Sequence, residues 1–269
     1  MGKISVEAKK RYFERITEYK NVIEDIQRRE KSLILVIQTD ETGAEYKKLI
    51  LADEVLNRVS FYVLMNELSM VLLGIKNENY LNDARKDIYK SLIYLEEVVT
   101  NYIDVPFSDY EKNLENIEGF GEDKRYLLIQ KLGYSIQALE ESFGENSKWR
   151  WSFVELEGRY ATIAKNFINL KTFVGGMDPR VDGYEIRMAH IILVKRILQQ
   201  SADRYREKYE LSTKRLDDFK LAISYLAALK RLHMILGEMD EIDVIKKKID
   251  VWKARLEDDL RTKEKNSKS

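Results

Sequence analysis

The chain has 269 residues, of which two are proline, twelve are glycine and none is cysteine. So few breakers in a chain rich in Leu, Ile, Lys and Glu point to an almost wholly helical protein, and exclude a disulfide scaffold, a Cys-ligated zinc or iron–sulfur site and a thiol nucleophile. Lys plus Arg and Asp plus Glu each number 46, so the net charge is zero, with none of the basic excess that a nucleic-acid binder carries.

The hydrophobic share, 44%, is enough to bury a core, and the charged share, 34%, suits helices with narrow apolar faces and solvated backs. The segment Met1-Gly2-Lys3-Ile4-Ser5-Val6 has no apolar region of the signal-peptide kind, and Val6 stands where N-myristoylation requires Ser or Thr. Apolar runs such as Leu33 to Ile37 fall far short of the roughly 20 residues that span a bilayer. Membrane insertion is therefore not expected. The expected location is cytoplasmic, or periplasmic only if the chain is a processed form.

A first helix is expected from Val6 to Gln38. Tyr12, Ile16, Tyr19, Ile23, Ile26, Leu33 and Ile37 follow heptad spacing, with Glu30 at one seam position. A second helix, Ala44 to Leu73, is apolar over a broader face that includes Leu49, Ile50, Val59, Val63 and Leu64, and Gly74 is placed to cap its end. A third runs from Asn79 to Ile103, before Pro106. A short helix follows Ser108, and Gly119-Phe120-Gly121 is a loop. Further helices are expected at Glu122–Phe143, Lys148–Val174, Asp182–Leu211, Thr213–Leu236 and Asp240–Arg261, with Gly144-Glu145-Asn146-Ser147 separating the first two. In the last helix Ile242, Ile245, Ile249, Trp252, Leu256 and Leu260 form a second coiled-coil-like seam, which docks within the chain or pairs with another copy. The expected fold is all-α: an elongated antiparallel array of about eight or nine helices with coiled-coil-like terminal helices. It divides into N-terminal hairpins at 1–118, a C-terminal bundle at 119–261 and a disordered tail at 262–269.

Leu73-Gly74 followed by Asp87-Ile88-Tyr89-Lys90-Ser91 is echoed by Leu236-Gly237 followed, at the same distance, by Asp250-Val251-Trp252-Lys253-Ala254. In both places an apolar helix ends in Leu-Gly and an amphipathic helix follows, as in a helical hairpin. The second hairpin, from Leu226-Ala227-Ala228-Leu229 through Leu236-Gly237, resembles the helix pairs of tetratricopeptide-like repeats. That resemblance implies stacked hairpins and a partner-binding face. It departs from that family where Val244, Lys247 and Lys248 replace small residues, and no 34-residue period recurs. The heptad-bearing helices, with the stretch from Trp149-Arg150-Trp151 to Asp178-Pro179-Arg180, resemble helical proteins of spirochaete flagella.

Catalytic signatures are missing from the sequence. The histidines, His190 and His233, have Arg187 and Lys230 where a di-metal bundle needs Glu, so a core or boundary role is expected for both. Gly-x-Ser-x-Gly, phosphate-loop and dinucleotide motifs do not occur. Two segments stand out as partner-contact candidates. Trp149, Arg150 and Trp151 open a helix; on one helix the two indoles diverge, so one is expected buried and the other free to anchor an interface. The breaker-rich loop Gly175 to Gly183 carries Asp178, Arg180 and Asp182, with Tyr184 just beyond. Arg180 offers a bidentate fork, and Asp182 is placed to cap the next helix.

The sequence therefore reads as a non-enzymatic structural or scaffolding protein that acts through protein contacts on helical faces, without cofactor or metal. A flagellar or cytoskeletal assembly is one such setting, and self-association through the heptad seams is one such contact. Two alternatives stay open: a small-ligand-binding or enzymatic helical bundle, and a peptide-binding adaptor with Arg, Lys and Tyr converging on one face.

Overall fold

A computed structural model describes residues 4–144 and 147–266. The expected linker residues Glu145 and Asn146, the segment Met1-Gly2-Lys3 and the tail residues 267–269 lie outside the described residues. Among the described residues there are ten α-helices and no strand: α1 (Val6–Thr39), α2 (Ala44–Leu73), α3 (Glu78–Val98), α4 (Glu111–Glu115), α5 (Glu122–Phe143), α6 (Arg150–Asn166), α7 (Leu170–Gly175), α8 (Tyr184–Lys208), α9 (Leu216–Leu236) and α10 (Met239–Asn266). The chain divides into two compact units, one of Met1–Thr100 with Asn113–Leu156, the other of Asn101–Lys112 with Glu157–Ser269. The boundary thus falls elsewhere than at 118/119. Helix α5 packs on α2 and α3 and belongs with the N-terminal hairpins, while the segment around Ile103 to Tyr110 belongs with the C-terminal helices.

In the first unit, α2 is the central helix, packed by α1, α3 and α5. Ser5 caps α1 by accepting from the Ala8 amide at 3.0 Å. The α1 seam is used within the chain: Tyr12, Ile16 and Ile23 pack with Met65, Phe61 and Leu68 of α2. Helix α2 is apolar nearly all round because it has several neighbours, with Leu51, Ala52, Val55, Leu56 and Val59 all buried.

Glu30, the polar intruder in the α1 seam, is 4% exposed and anchors a buried charge network. Arg58 of α2 donates through Nε and Nη2 to both Asp87 oxygens of α3, at 2.5 and 2.6 Å, and through Nη1 to Glu30 at 2.8 Å. Lys90 reaches the second Glu30 oxygen at 2.7 Å, and the Tyr94 hydroxyl donates to it at 3.1 Å. Burial pushes the Glu30 carboxyl up, but the hydrogen bonds from Lys90 and Arg58 outweigh it and hold that group below its ordinary value. Burial holds Asp87 above its ordinary value against the pull of Arg58. Two acids and two bases compensate one another, and the planar Arg58 fork sets the register of three helices at once.

In the second unit, α8, α9 and α10 pack in sequence. Gly158 of α6 lets the stacked Tyr205 and Tyr225 rings approach its backbone: a Cβ there would lie 2.6 Å from atoms of both side chains. The α10 seam docks on α9, burying Ile245, Ile249 and Trp252, with Trp252 beside Phe219. Both histidines are buried. His190 Nε2 donates to the Ala164 carbonyl at 2.9 Å, and His233 Nδ1 pairs with Glu238, which also takes Lys195 at 2.6 Å.

The echoed Leu-Gly pairs end α2 and α9 alike. Gly74 and Gly237 adopt left-handed φ of 65° and 71°, and in each case the next helix folds back on its predecessor.

Several helix ends differ from the expected ones. Helix α3 stops at Val98 because Val98 and Val99 are buried and the Asn113 side chain takes the Val99 carbonyl, five residues before the expected end at Ile103. The expected helix Lys148–Val174 is broken after Asn166, where the Asn169 side chain accepts from the amides of Lys171 and Thr172 and starts α7. The helix expected to reach Leu211 changes to a π-helical turn at Tyr209–Thr213, closed by Lys214 in the left-handed region at φ 50°. Helix α10 continues past Arg261 to Asn266, and Lys263 Nζ donates to the Lys214 carbonyl at 2.9 Å.

Candidate docking groove

A large concavity lies in the first unit, between α2 and α5, with a volume of about 1020 Å³. The spacing of α2 brings Tyr46, Leu49, Ile50 and Asp53, then Ser60, Val63 and Leu64, to one side. On α5 the same spacing aligns Lys124, Leu127, Leu128, Lys131, Tyr134 and Ala138. Residues 124 to 138 span about 20 Å at 1.5 Å per residue, roughly four helical turns. Leu49, Val63 and Leu128 are buried and form the floor; Ile50, Leu64, Leu127 and Tyr134 are the exposed walls, with Leu127 at 65% and Tyr134 at 66% exposure.

The end of the groove is built by a loop rather than a helix. Arg125 is buried and folds back to donate through Nε to the Phe120 carbonyl at 2.7 Å and through Nη2 to the Ile117 carbonyl at 3.0 Å. Burial lowers its guanidinium from the ordinary value. The Tyr46 hydroxyl accepts from the Gly119 amide at 2.9 Å, which fastens the same loop to α2.

Charge along the groove is mostly neutralised in place. Lys131 of α5 pairs with Asp53 of α2 at 2.5 Å, and Glu54 pairs with Arg29 of α1 at 2.8 Å. Lys124 has no ion-pair partner among the described residues and stands exposed beside the loop end. The groove therefore presents a continuous apolar strip with one unmatched positive charge at one end. No group of three or more His, Cys, Asp or Glu among the described residues is arranged to hold a metal ion.

The partner-contact candidates lie elsewhere. Trp149 sits in the turn before α6, not on that helix, so the opposed-indole argument does not apply: both Trp149 and Trp151 are half-buried. The Arg85 guanidinium of α3 covers the Trp149 ring, 3.7 Å from its centroid, while the exposed Arg150 covers Trp151 at 4.8 Å. In the second unit, Arg180 spends its fork inside its own loop, on Asp178, with Nε to Oδ1 at 2.9 Å and Nη2 to Oδ2 at 2.5 Å. Asp182 does not cap α8. Gly183 holds the cap position without a side-chain bond, and the Asp182 carbonyl instead accepts from Arg187 Nη2 at 2.6 Å. Arg187 also donates to the Gly176 carbonyl at 3.1 Å, so a buried arginine on α8 shapes the loop from inside. Tyr184 is the half-buried first residue of α8.

The breakers pointed to those loops, and the groove escaped notice because its residues are ordinary helix formers. The available signal was the width of the α2 apolar face, together with Leu127 and Tyr134 beyond the narrow α5 stripe that packing uses.

Fold and groove together define an all-α protein with an open apolar cleft in its first unit, in which no helix of the described residues is long and apolar enough to cross a membrane. The chain belongs to the TP0443 family, whose model matches residues 8–260, a family derived from the spirochaete Treponema. No curated protein matches it. Among solved structures it is similar to a chain from "Computational Design of Self-Assembling Cyclic Protein Homooligomers", at 12% identity over 90% of this chain and 97% of that one, with a TM-score of 0.30.

Proposed function

We propose that this chain is a non-enzymatic scaffolding protein that holds an amphipathic helix of a partner protein in the groove between α2 and α5. The observation that carries this reading is the exposed apolar strip of roughly four turns on two adjacent helices. A helix laid along such a strip buries side chains at i, i+3, i+4 and i+7. The occupant is a partner helix with an apolar stripe and a carboxylate at the end facing Lys124. The other charged lining side chains are already paired within the chain, so one negative charge matches what remains. Self-association through the heptad seams does not enter this reading, because Tyr12, Ile16 and Ile23 of the first seam and Ile245, Ile249 and Trp252 of the second are already buried within the chain. The spirochaete derivation of the family, with the resemblance to helical flagellar proteins, supports placing this docking in a larger assembly such as a flagellar or cytoskeletal structure.

Photo-cross-linking from position 127 in cells, followed by sequencing of the joined peptide, tests the reading. The joined segment is expected to be an amphipathic helix of another protein. As a synthetic peptide it should bind the wild type and lose at least tenfold in affinity to Leu127→Glu, which removes an apolar anchor worth about 1.4 kcal/mol or more. Lys124→Glu should weaken binding, and replacing the peptide carboxylate by lysine should restore it. Cross-links only to copies of this chain, or a peptide indifferent to Leu127→Glu, would overturn the proposal.

A further inference from the structure

The second unit contains a separate pocket of about 320 Å³, between the segment Ile103 to Tyr110, Lys165 of α6, and α9. Its walls are almost wholly apolar, with Pro106, Phe107, Leu170, Leu232 and Ile235 prominent among them. Lys165 reaches into this setting from a helix face that is otherwise packed. Its ammonium donates to the Ile103 carbonyl at 3.1 Å and lies 5.1 Å from the centroid of the Tyr110 ring. No carboxylate among the described residues lies within ion-pair distance of it. An ammonium carries three donors, so two of the Lys165 N–H groups remain unused. Tyr110 is itself buried.

The nearby charges do not cancel. Arg231, also at the pocket, pairs with Asp104 at 3.1 Å. Two cations and one carboxylate leave one positive charge beside an apolar cavity, an arrangement that water alone compensates poorly. Burial, reinforced by Arg231 and opposed by Asp104, lowers the Lys165 ammonium to about 8. Among the described residues this cation joins no ion pair and caps no helix.

We propose that this pocket binds a small apolar monocarboxylate, with its hydrocarbon body against Phe107, Leu170 and Ile235 and its carboxylate on the free N–H groups of Lys165. A single negative charge completes the local balance, and the apolar walls take an alkyl or aryl body. The volume lies at the lower end of the range for small-molecule sites, which favours a short chain over a long lipid. This inference is independent of the groove in the first unit and stands or falls without it.

Isothermal titration calorimetry on the full chain tests it, with butyrate, hexanoate and octanoate as probes and octanol as the uncharged control. Affinity should rise about fourfold for each added methylene until the cavity is filled. Octanol should bind at least tenfold more weakly than octanoate, because it gives Lys165 no charge to meet. At pH 8 binding should take up about half a proton per ligand, visible as a heat that changes with the ionisation enthalpy of the buffer, since an anion raises the affinity of Lys165 for its proton. Lys165→Met should abolish the proton uptake and weaken octanoate at least tenfold. Leu170→Trp, which fills the cavity and leaves the amine in place, should block binding as well and serves if the first variant is poorly folded. No saturable binding of octanoate, binding without proton uptake at pH 8, or equal affinity for octanol would overturn the proposal.

Discussion

Replacing Arg58 by methionine would remove a buried fork from the meeting point of α1, α2 and α3 without opening a large cavity. Arg58 makes three short charge-assisted hydrogen bonds, at 2.5, 2.6 and 2.8 Å. Its loss does not fall equally on the two acids. Glu30 keeps Lys90 at 2.7 Å and the Tyr94 hydroxyl at 3.1 Å, whereas Asp87 loses the guanidinium that neutralises it. An uncompensated buried carboxylate costs about 3–5 kcal/mol. For a domain-sized unit this lowers the melting temperature by on the order of 10 °C. Far-UV circular dichroism during thermal and urea unfolding reads the loss directly. Its pH dependence has a defined sign. Burial already holds Asp87 above its ordinary value. Without Arg58 the folded state binds that proton more tightly still. The unfolded state then binds fewer protons than the folded one, so the variant regains stability relative to the wild type as pH falls from 7 towards 4. The triple variant Arg58→Met, Glu30→Leu, Asp87→Leu removes every unpaired acid at once and should return to within about 1 kcal/mol of the wild type or exceed it. A single variant that loses less than about 1 kcal/mol, or a triple variant no better than the single, would refute the assignment of the cost to Asp87.

Lys165→Met should stabilise the protein by about 2 kcal/mol at pH 7, because the wild type must hold a buried ammonium whose proton affinity is lowered to about 8. Above that value the folded lysine is neutral while the unfolded one still binds its proton, so wild-type stability climbs and the gap should close by pH 10; urea titrations at several pH values measure it. Gly158→Ala should cost about 1 kcal/mol net in equilibrium unfolding, since the crowding of Tyr205 and Tyr225 at 2.6 Å exceeds the gain in helix propensity; a stabilised variant would show that the rings can yield. Arg85→Ala should uncover the Trp149 ring that its guanidinium covers at 3.7 Å, shifting tryptophan emission to the red and raising acrylamide quenching, and an unchanged spectrum would count against that stacking.

What the sequence determined by itself was the helical class and most of the helix ends. Ala44–Leu73 and Glu122–Phe143 follow from apolar periodicity and from the glycines that bracket them, and the heptad seams of α1 and α10 are real apolar faces. These are local properties, set by side chains three and four residues apart and by which residues tolerate a left-handed turn. Glu30 could be seen as an anomaly in the seam, but its meaning required Arg58, Asp87 and Lys90, which lie on two other helices. The same holds for Arg180, whose fork turned out to be spent on Asp178, and for Asp182, displaced from its capping role by Arg187 donating to its carbonyl. Only the tertiary structure decided which apolar residues are left over after packing. Leu127 and Leu128 are adjacent and chemically identical, yet Leu128 is 4% exposed and Leu127 is 65% exposed, because adjacent residues on a helix point about 100° apart and packing covers one of those two directions and not the other. Lys165 meets no carboxylate among the described residues for the same reason: whether a lysine meets a carboxylate or a cavity depends on what folding brings to its end, and most of the residues that surround it here come from segments some sixty residues away on either side.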